Sequence, residues 1–394
     1  MSNDPVVIVA ARRTPIGAFQ GAFSAATAID LGAASNKAAV ADAGIDPALI
    51  GEVVMGCVLP AGLGQAPARQ AAIAAGIPKS VASTTINKMC GSGMKAAMFA
   101  HDMLLAGSVE VALAGGLESM TNAPYLLPKA RSGYRMGHQE VQDHMFYDGL
   151  QSPFDGNMMG HFAELTADKY NFTREAQDAF ATASVERALH AIEQGWFDDE
   201  IAPVDVTARR KTTTVSKDED PFHCDLSKIP TMRPAFRRDG GTVTAASSSS
   251  ISDGAASLIM MRESAAQTHG VTPLARICGH STFAQEPEWF TTAPVSAIDV
   301  LLKKLSWKTG DVDLYEINEA FAVVSMAAMH DLKLEHEKVN VHGGACALGH
   351  PVGATGARLI VTLLHALKRR QLKRGVAALC IGGGEATAIG IEMV

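Results

Sequence analysis

Asn87-Lys88-Met89-Cys90-Gly91-Ser92-Gly93-Met94 places a cysteine between a β-prone run, Ser83-Thr84-Thr85-Ile86, and a helical pattern of Met94, Ala97, Met98, His101, Leu104 and Leu105. At a strand-to-helix turn the first helical N–H groups are free and the helix dipole favours negative charge, so a thiolate gains stability. Gly91 and Gly93 are expected to let the backbone bend sharply and a ligand come close. The chemistry that follows is nucleophilic attack by sulfur. A small thiol packed into a tight turn is the competing reading, since free cysteine is commonly buried.

Three later segments end predicted strands with groups that complement such a nucleophile. Tyr315-Glu316-Ile317-Asn318-Glu319-Ala320-Phe321-Ala322 offers an amide and carboxylates, and Gly349-His350-Pro351-Val352-Gly353-Ala354-Thr355-Gly356 sets a histidine before a helix. Cys380-Ile381-Gly382-Gly383-Gly384 adds a second thiol followed by open backbone N–H groups. His350 can serve Cys90 as a base, glycine-rich turns can hold an oxyanion, and a second thiol can move a proton. Singly, Asn318, His350 and Cys380 read equally well as packed residues. Together at strand ends, where α/β sheets bind ligands, they point to one site.

These turns need a frame. Val6-Val7-Ile8-Val9-Ala10 has the pattern of a strand buried on both faces, with Arg12 and Arg13 in the turn that closes it. Residues 26–43 read as an Ala-rich helix stopped by Gly44, residues 50–57 as a strand, 66–75 as a helix, and 111–116 as another buried strand. The alternation predicts an α/β fold with a parallel sheet covered on both faces. The second half echoes the first. Val53-Val54-Met55-Gly56 matches Leu314-Tyr315-Glu316-Ile317 at a shift of 261, the Cys90 turn matches the His350 turn at 260, and residues 111–116 match 378–383 at 267. Two similar halves would face one another, with Cys90 and His350 near a pseudo-twofold axis.

Between residues 121 and 249 the texture changes to Pro, Gly, Met and charge clusters, with one helix expected from a Thr173 cap through residue 191. Such an insertion usually covers or builds a binding site. Three units result: residues 1–120 with 250–273, the insertion 121–249, and residues 274–394.

At 394 residues the chain exceeds the roughly 250–300 at which single cores stop growing. A net charge of −7 leaves no electrostatic footprint for nucleic acid or an anionic membrane. The six cysteines, Cys57, Cys90, Cys224, Cys278, Cys346 and Cys380, lack zinc-ligand spacing and read as free thiols in a reducing compartment. With no signal-peptide pattern and no apolar run of membrane-spanning length, a cytoplasmic location is expected.

Carried by these motifs together with Arg233-Pro234-Ala235-Phe236, Ser252-Asp253-Gly254-Ala255-Ala256 and Gly343-Gly344-Ala345, the chain resembles the thiolases over almost its full length. The resemblance implies a thiolase fold: two similar five-layered α-β-α-β-α half-domains with an inserted loop domain for CoA binding and oligomer contacts. It implies acyl-CoA substrates, coenzyme A as co-substrate, no permanently bound cofactor, no metal, and a homotetramer built as a dimer of dimers. Cys90 would take the acyl group while His350 draws off its proton, and Cys380 would abstract the α-proton of a second acetyl-CoA. Asn318 would position a water that forms one oxyanion hole with His350. Backbone N–H groups of Cys90 and Gly382 would form the other. Ser249 would lie along the pantetheine arm, and Phe290 beside Phe321 would shorten the acyl pocket.

The expected activity is reversible Claisen condensation of two acetyl-CoA to acetoacetyl-CoA and CoA through an acyl-cysteine. The alternative is a degradative 3-ketoacyl-CoA thiolase acting on longer chains, which pocket depth separates from the first. Decarboxylating ketoacyl synthases are disfavoured by Cys380 and Asn318-Glu319, because decarboxylation itself supplies the carbanion. A non-catalytic lipid-binding or scaffold protein is disfavoured by the presence of both cysteines. Arg209-Arg210-Lys211 reads as a solvated surface before it reads as a contact for the CoA phosphates. Glu385, His161 and His342 depart from the family pattern, as does the serine run Ser247-Ser248-Ser249-Ser250.

Overall fold

The first apolar run forms β1 (Val6–Arg13), longer than expected, with Val6 and Ile8 facing one core and Val7 and Val9 facing another. In this computed structural model, which describes residues 4–394, that division organises the whole molecule. The first half continues with α1 (Ala28–Ala43), β2 (Ile50–Gly56), α2 (Pro67–Ala74), β3 (Ala82–Ile86), α3 (Ser92–Leu105) and β4 (Val111–Ser119). After the insertion, which holds α4 (Met159–Tyr170) and α5 (Arg174–Glu193), comes β5 (Ser252–Arg262). The second half holds β6 (Ala275–Ala284), α6 (Ala293–Leu305), β7 (Leu314–Ile317), α7 (Ala322–Leu332), α8 (Val352–Arg370), β8 (Arg374–Ile381) and β9 (Glu385–Met393). Local signals set several ends. Thr27 and Asp30 form a capping box at α1, Gly44 ends that helix in a left-handed conformation, and the Thr173 side chain caps α5.

The strands run in the order β7-β8-β9-β6-β1-β5-β4-β2-β3, with Gly17–Ala18 as a tenth short strand beside β5. Helices α1 and α2 cover the outer face of the first half, α6 and α7 that of the second, and α3 and α8 fill the layer between. Only β3-β2-β4 and β7-β8 pair in parallel; the other neighbours are antiparallel. The expectation of a parallel sheet holds only at β3-β2-β4 and β7-β8, and fails elsewhere. The short turn Gly382-Gly383-Gly384 can return β8 to β9 only antiparallel.

Pairing registers make the internal repeat explicit and correct one part of it. Gly56 pairs with Gly116 in the first half and Ile317 with Ala378 in the second, so Gly116 matches Ala378 at a shift of 262 rather than 267. The longer α8, 19 residues against 14 in α3, is offset by a tighter connection into β8. By the same register β4 and β5 correspond to β8 and β9. The insertion therefore occupies the place of the glycine turn.

A buried clamp fixes the insertion to β1. The Arg13 guanidinium donates to Glu200 at 2.5 Å and to both oxygens of Asp218 at 2.7 and 2.9 Å, with all three side chains fully buried. Two helices stand in the insertion where one was expected. α4 carries a weak signal because Met158 makes no side-chain cap and Gly160 and His161 fall in its first turn. Arg209 and Arg210 form the tip of a hairpin between strands Val204–Ala208 and Lys211–Val215.

Candidate active site

The turn that presents Cys90 is locked locally. Met89 takes a left-handed conformation (φ 47°), and its N–H is held by the Asn87 side chain at 2.8 Å. Ser92 Oγ donates to the Met89 carbonyl at 2.6 Å and accepts from Lys88 N–H at 2.9 Å. Met89, rather than a glycine, supplies the sharp bend. The glycines serve close packing: a Cβ on Gly93 would lie 2.7 Å from Ala357 N in α8, and one on Gly356 would lie 2.3 Å from Met94 N in α3. These reciprocal contacts bring together the two helices that begin at Ser92 and Val352.

His350 enters α8 just as Cys90 enters α3. Its Nδ1 lies 2.6 Å from Thr355 Oγ1, and that hydroxyl donates its own proton to the Pro351 carbonyl at 2.9 Å. Nδ1 must therefore donate, leaving Nε2 as the lone-pair nitrogen. Nε2 is buried without a protein partner. Burial, aided by the nearby Arg358 charge, lowers the His350 pKa to about 3, so the imidazole is neutral.

Cys90, His350, Gly382, Ser249, Phe290 and Phe321 all line one cavity of about 380 Å3. Cys380 lies behind its wall, fully buried in a cluster with Phe162, Phe290 and Phe321. Phe290 stacks edge-on against Phe162 with centroids 6.1 Å apart, and Phe321 does so against Phe236 at 5.8 Å. Asn318 sits at the end of β7, its N–H on the Ala378 carbonyl at 3.0 Å, and both atoms of its buried side-chain amide lack a protein partner. Ser249 is held at the rim by its N–H to the Ala320 carbonyl at 3.0 Å.

Electrostatics correct the expectation of a stabilised thiolate. Burial pushes the Cys90 thiol up to about 11, although N–H groups of Gly382 and Cys90 itself pull the other way. Burial and the nearby Cys90 also hold the Cys380 thiol well above the ordinary range. The resting site pairs neutral thiols with neutral imidazole, because removal from water outweighs the helix terminus.

Several residues entered the site without a sequence signal. Phe146, Leu150, Met158 and Met159 line the cavity from the insertion, where nothing periodic marks them. Glu118 had a readable signal, an acid ending a strand otherwise apolar. It accepts N–H bonds from Val58 at 2.9 Å, Leu59 at 3.1 Å and Gly353 at 2.8 Å, fastening the first turn of α8 to the first half. Glu319 likewise gathers Ser184, Asn340 and the Cys346 N–H at 2.7, 2.8 and 3.0 Å. Arg209, Arg210, Lys211, His161 and His342 do not line the cavity.

Comparison with known proteins gives matches along almost the whole chain. The family model "Thiolase, N-terminal domain" matches residues 6–264, and "Thiolase, C-terminal domain" matches residues 271–393. Acetyl-CoA acetyltransferase 2 of Arabidopsis thaliana is 49% identical over 391 residues, covering 99% of this chain and 97% of that protein. The acetyl-CoA acetyltransferase of Escherichia coli K12 is 48% identical over 388 residues, 98% of each chain. Among solved structures, the Bacillus anthracis acetyl-CoA acetyltransferase superposes with a TM-score of 0.97 at 43% identity over 99% of both chains. The Acat5 thiolase of Ascaris suum in complex with coenzyme A gives 0.94 at 40% identity, covering 99% of this chain and 100% of that one. Both halves of the chain thus have full-length counterparts, and the chain belongs to the thiolase family.

Proposed function

We propose that the protein is an acetyl-CoA C-acetyltransferase that condenses two acetyl-CoA to acetoacetyl-CoA and CoA, reversibly. The observation that carries this reading is the junction of Cys90, His350 and Gly382 on one cavity whose apolar end is bounded by Phe290 and Phe321. The full-length relatives named acetyl-CoA acetyltransferase support it over the degradative alternative.

Cys90 attacks the thioester carbonyl as His350 Nε2 takes its proton, and the departing CoA sulfur receives that proton. A neutral base beside a high-pKa thiol fits concerted transfer better than a preformed ion pair. Gly382 and Cys90 N–H groups face the oxyanion, a contribution worth about 3–4 kcal/mol per donor in comparable sites. Cys380, as its thiolate, removes the α-proton of the second acetyl-CoA. The burial that makes this thiolate scarce also makes it a strong base. The carbanion attacks the acetyl carbon, and the leaving Cys90 sulfur takes the proton from Cys380. Asn318 holds the enolate oxygen through a positioned water, and His350 joins it as a donor only in the form whose Nε2 carries a proton.

Coenzyme A, with which the Ascaris suum relative forms its complex, is the proposed co-substrate, with Ser249 along its pantetheine arm. The insertion 121–249 is proposed as the unit that binds CoA and makes oligomer contacts. Its exposed Tyr125, Leu127, Met136 and Val141 suit burial in a homotetramer. No helix among the described residues is long and apolar enough to cross a membrane, which is compatible with a cytoplasmic location.

The deciding experiment is CoA-dependent thiolysis of acetoacetyl-CoA and of a long-chain 3-ketoacyl-CoA, compared by kcat/KM. A strong preference for acetoacetyl-CoA is expected. Preference for the long chain would replace this reading with the degradative one.

A further inference from the structure

Where the far end of α3 meets β6, His101, Asp102 and His280 form a cluster outside the cavity. The carboxylate Oδ1 of Asp102 lies 3.1 Å from His101 Nδ1 and 2.9 Å from His280 Nε2. All three atoms fall within 4.8 Å of one another, and the two rings meet edge to face at 5.1 Å. His101 follows Ser92 by nine residues along α3, about 14 Å of helix rise, so the cluster stands clear of the reacting sulfur.

We propose that His101, Asp102 and His280 form a binding site for a zinc-class divalent cation that links the two halves of the protein. Both imidazole nitrogens already aim at one point, the Asp102 oxygen. A metal at about 2.0–2.1 Å from each nitrogen would occupy nearly that point, and Asp102 would withdraw by about 1 Å to become the third ligand. Its side chain is free to do so, being 56% exposed, whereas those of His101 and His280 are only 11% and 13% exposed. The open side leaves the fourth position to water. Two imidazoles and a carboxylate suit zinc, cobalt or nickel, and are a poor set for magnesium or calcium, which take oxygen ligands.

Two charges oppose the cation. Lys304, exposed on α6, donates Nζ to the His280 carbonyl at 3.2 Å. Lys95, a further cation on α3, also interacts with Asp102.

The test uses the untagged full-length protein, freed of metal and titrated with Co2+ and Zn2+ by calorimetry and visible absorption. One equivalent of Co2+ is expected with tetrahedral d–d bands and no sulfur charge-transfer band, together with a rise in Tm of roughly 2–4 °C. His280→Gln should lose this equivalent while keeping thiolysis. Lys304→Gln should tighten binding about fivefold, which keeps the test decisive if the histidine variant folds poorly. Mg2+ should produce no effect. Absence of binding, cobalt bands of thiolate origin, or equal affinity in wild type, His280→Gln and Lys304→Gln would overturn the proposal and leave a hydrogen-bonded triad.

Discussion

Gly382, in the turn between β8 and β9, lines the same cavity as Cys90, which stands just before α3, and its N–H draws the Cys90 pKa downward against the effect of burial. The pair joins the second half of the chain to the first. A nucleophile and a donor able to hold its oxyanion therefore come from different copies of the repeat, and neither half has the pair alone.

Covalent labelling separates the two thiols. Cys90→Ala should form no acetyl adduct with acetyl-CoA, read by intact-protein mass spectrometry. Cys380→Ser should still be acetylated yet lose acetoacetyl-CoA thiolysis by roughly 10²–10⁴-fold, the usual range for a missing acid–base group. An adduct on the first variant, or full turnover by the second, would reverse the assignments.

The His350 hydrogen bond makes a claim about pH. With His350 at about 3 and Cys90 at about 11, neither group changes charge near neutrality. The pre-steady-state acylation rate should show no inflection near pH 6.5 from these two residues. Thr355→Val removes the acceptor that sets the tautomer, and should slow acylation about tenfold, or ~1.4 kcal/mol. A Thr355→Val rate equal to wild type would show that Nδ1 needs no such partner.

Stability carries its own pH signature through His342, which is 1% exposed, has no partner for either ring nitrogen, and is lowered by burial to about 3. The unfolded chain takes up this proton first, so stability present above the ordinary histidine pKa is lost as pH falls toward 3. Each such histidine contributes a slope of up to about 1.4 kcal/mol per pH unit. Urea unfolding of His342→Asn between pH 7 and 5 should show a shallower fall than wild type. Parallel curves would place the acid sensitivity elsewhere.

Chain-length choice should turn on Phe290. Phe290→Leu removes ring volume where two aromatic pairs close the cavity. The kcat/KM ratio of a longer 3-ketoacyl-CoA to acetoacetyl-CoA should rise about tenfold, within the range expected for one or two methylenes. A fixed ratio would mean that another wall limits the chain.

Arg13→Met should be costly, because it leaves Glu200 and Asp218 buried without their cation. A loss of about 3–5 kcal/mol in urea unfolding is expected. Replacing all three by apolar residues of similar size should recover much of it. A near-neutral Arg13→Met would show that the insertion is held by its apolar packing alone.

Much of the frame was legible along the chain because capping, periodicity and glycine stops act within a few residues. The Gly44 stop of α1, the Thr173 cap and the Cys90 turn all fell within that reach. α4 did not, since its start lacks a cap, and the strand directions did not, since pairing joins residues far apart in sequence. Of the cavity wall, the motif-borne Cys90, His350, Gly382 and Phe321 were readable. Met158, Met159, Phe146 and Leu150 were not, because an apolar residue in an irregular segment looks the same whether it meets core or ligand.

By itself, then, the sequence determined which groups this protein has for chemistry, the α/β alternation that presents them, and the repeat that makes Cys90 and His350 equivalent. Only the tertiary structure decided that their turns share a cavity, that Met89 bends the nucleophile turn, and that both thiols rest protonated. Residue type and spacing report on neighbours along the chain. Desolvation and close approach depend on segments hundreds of positions away, and here those terms outweigh the local helix terminus.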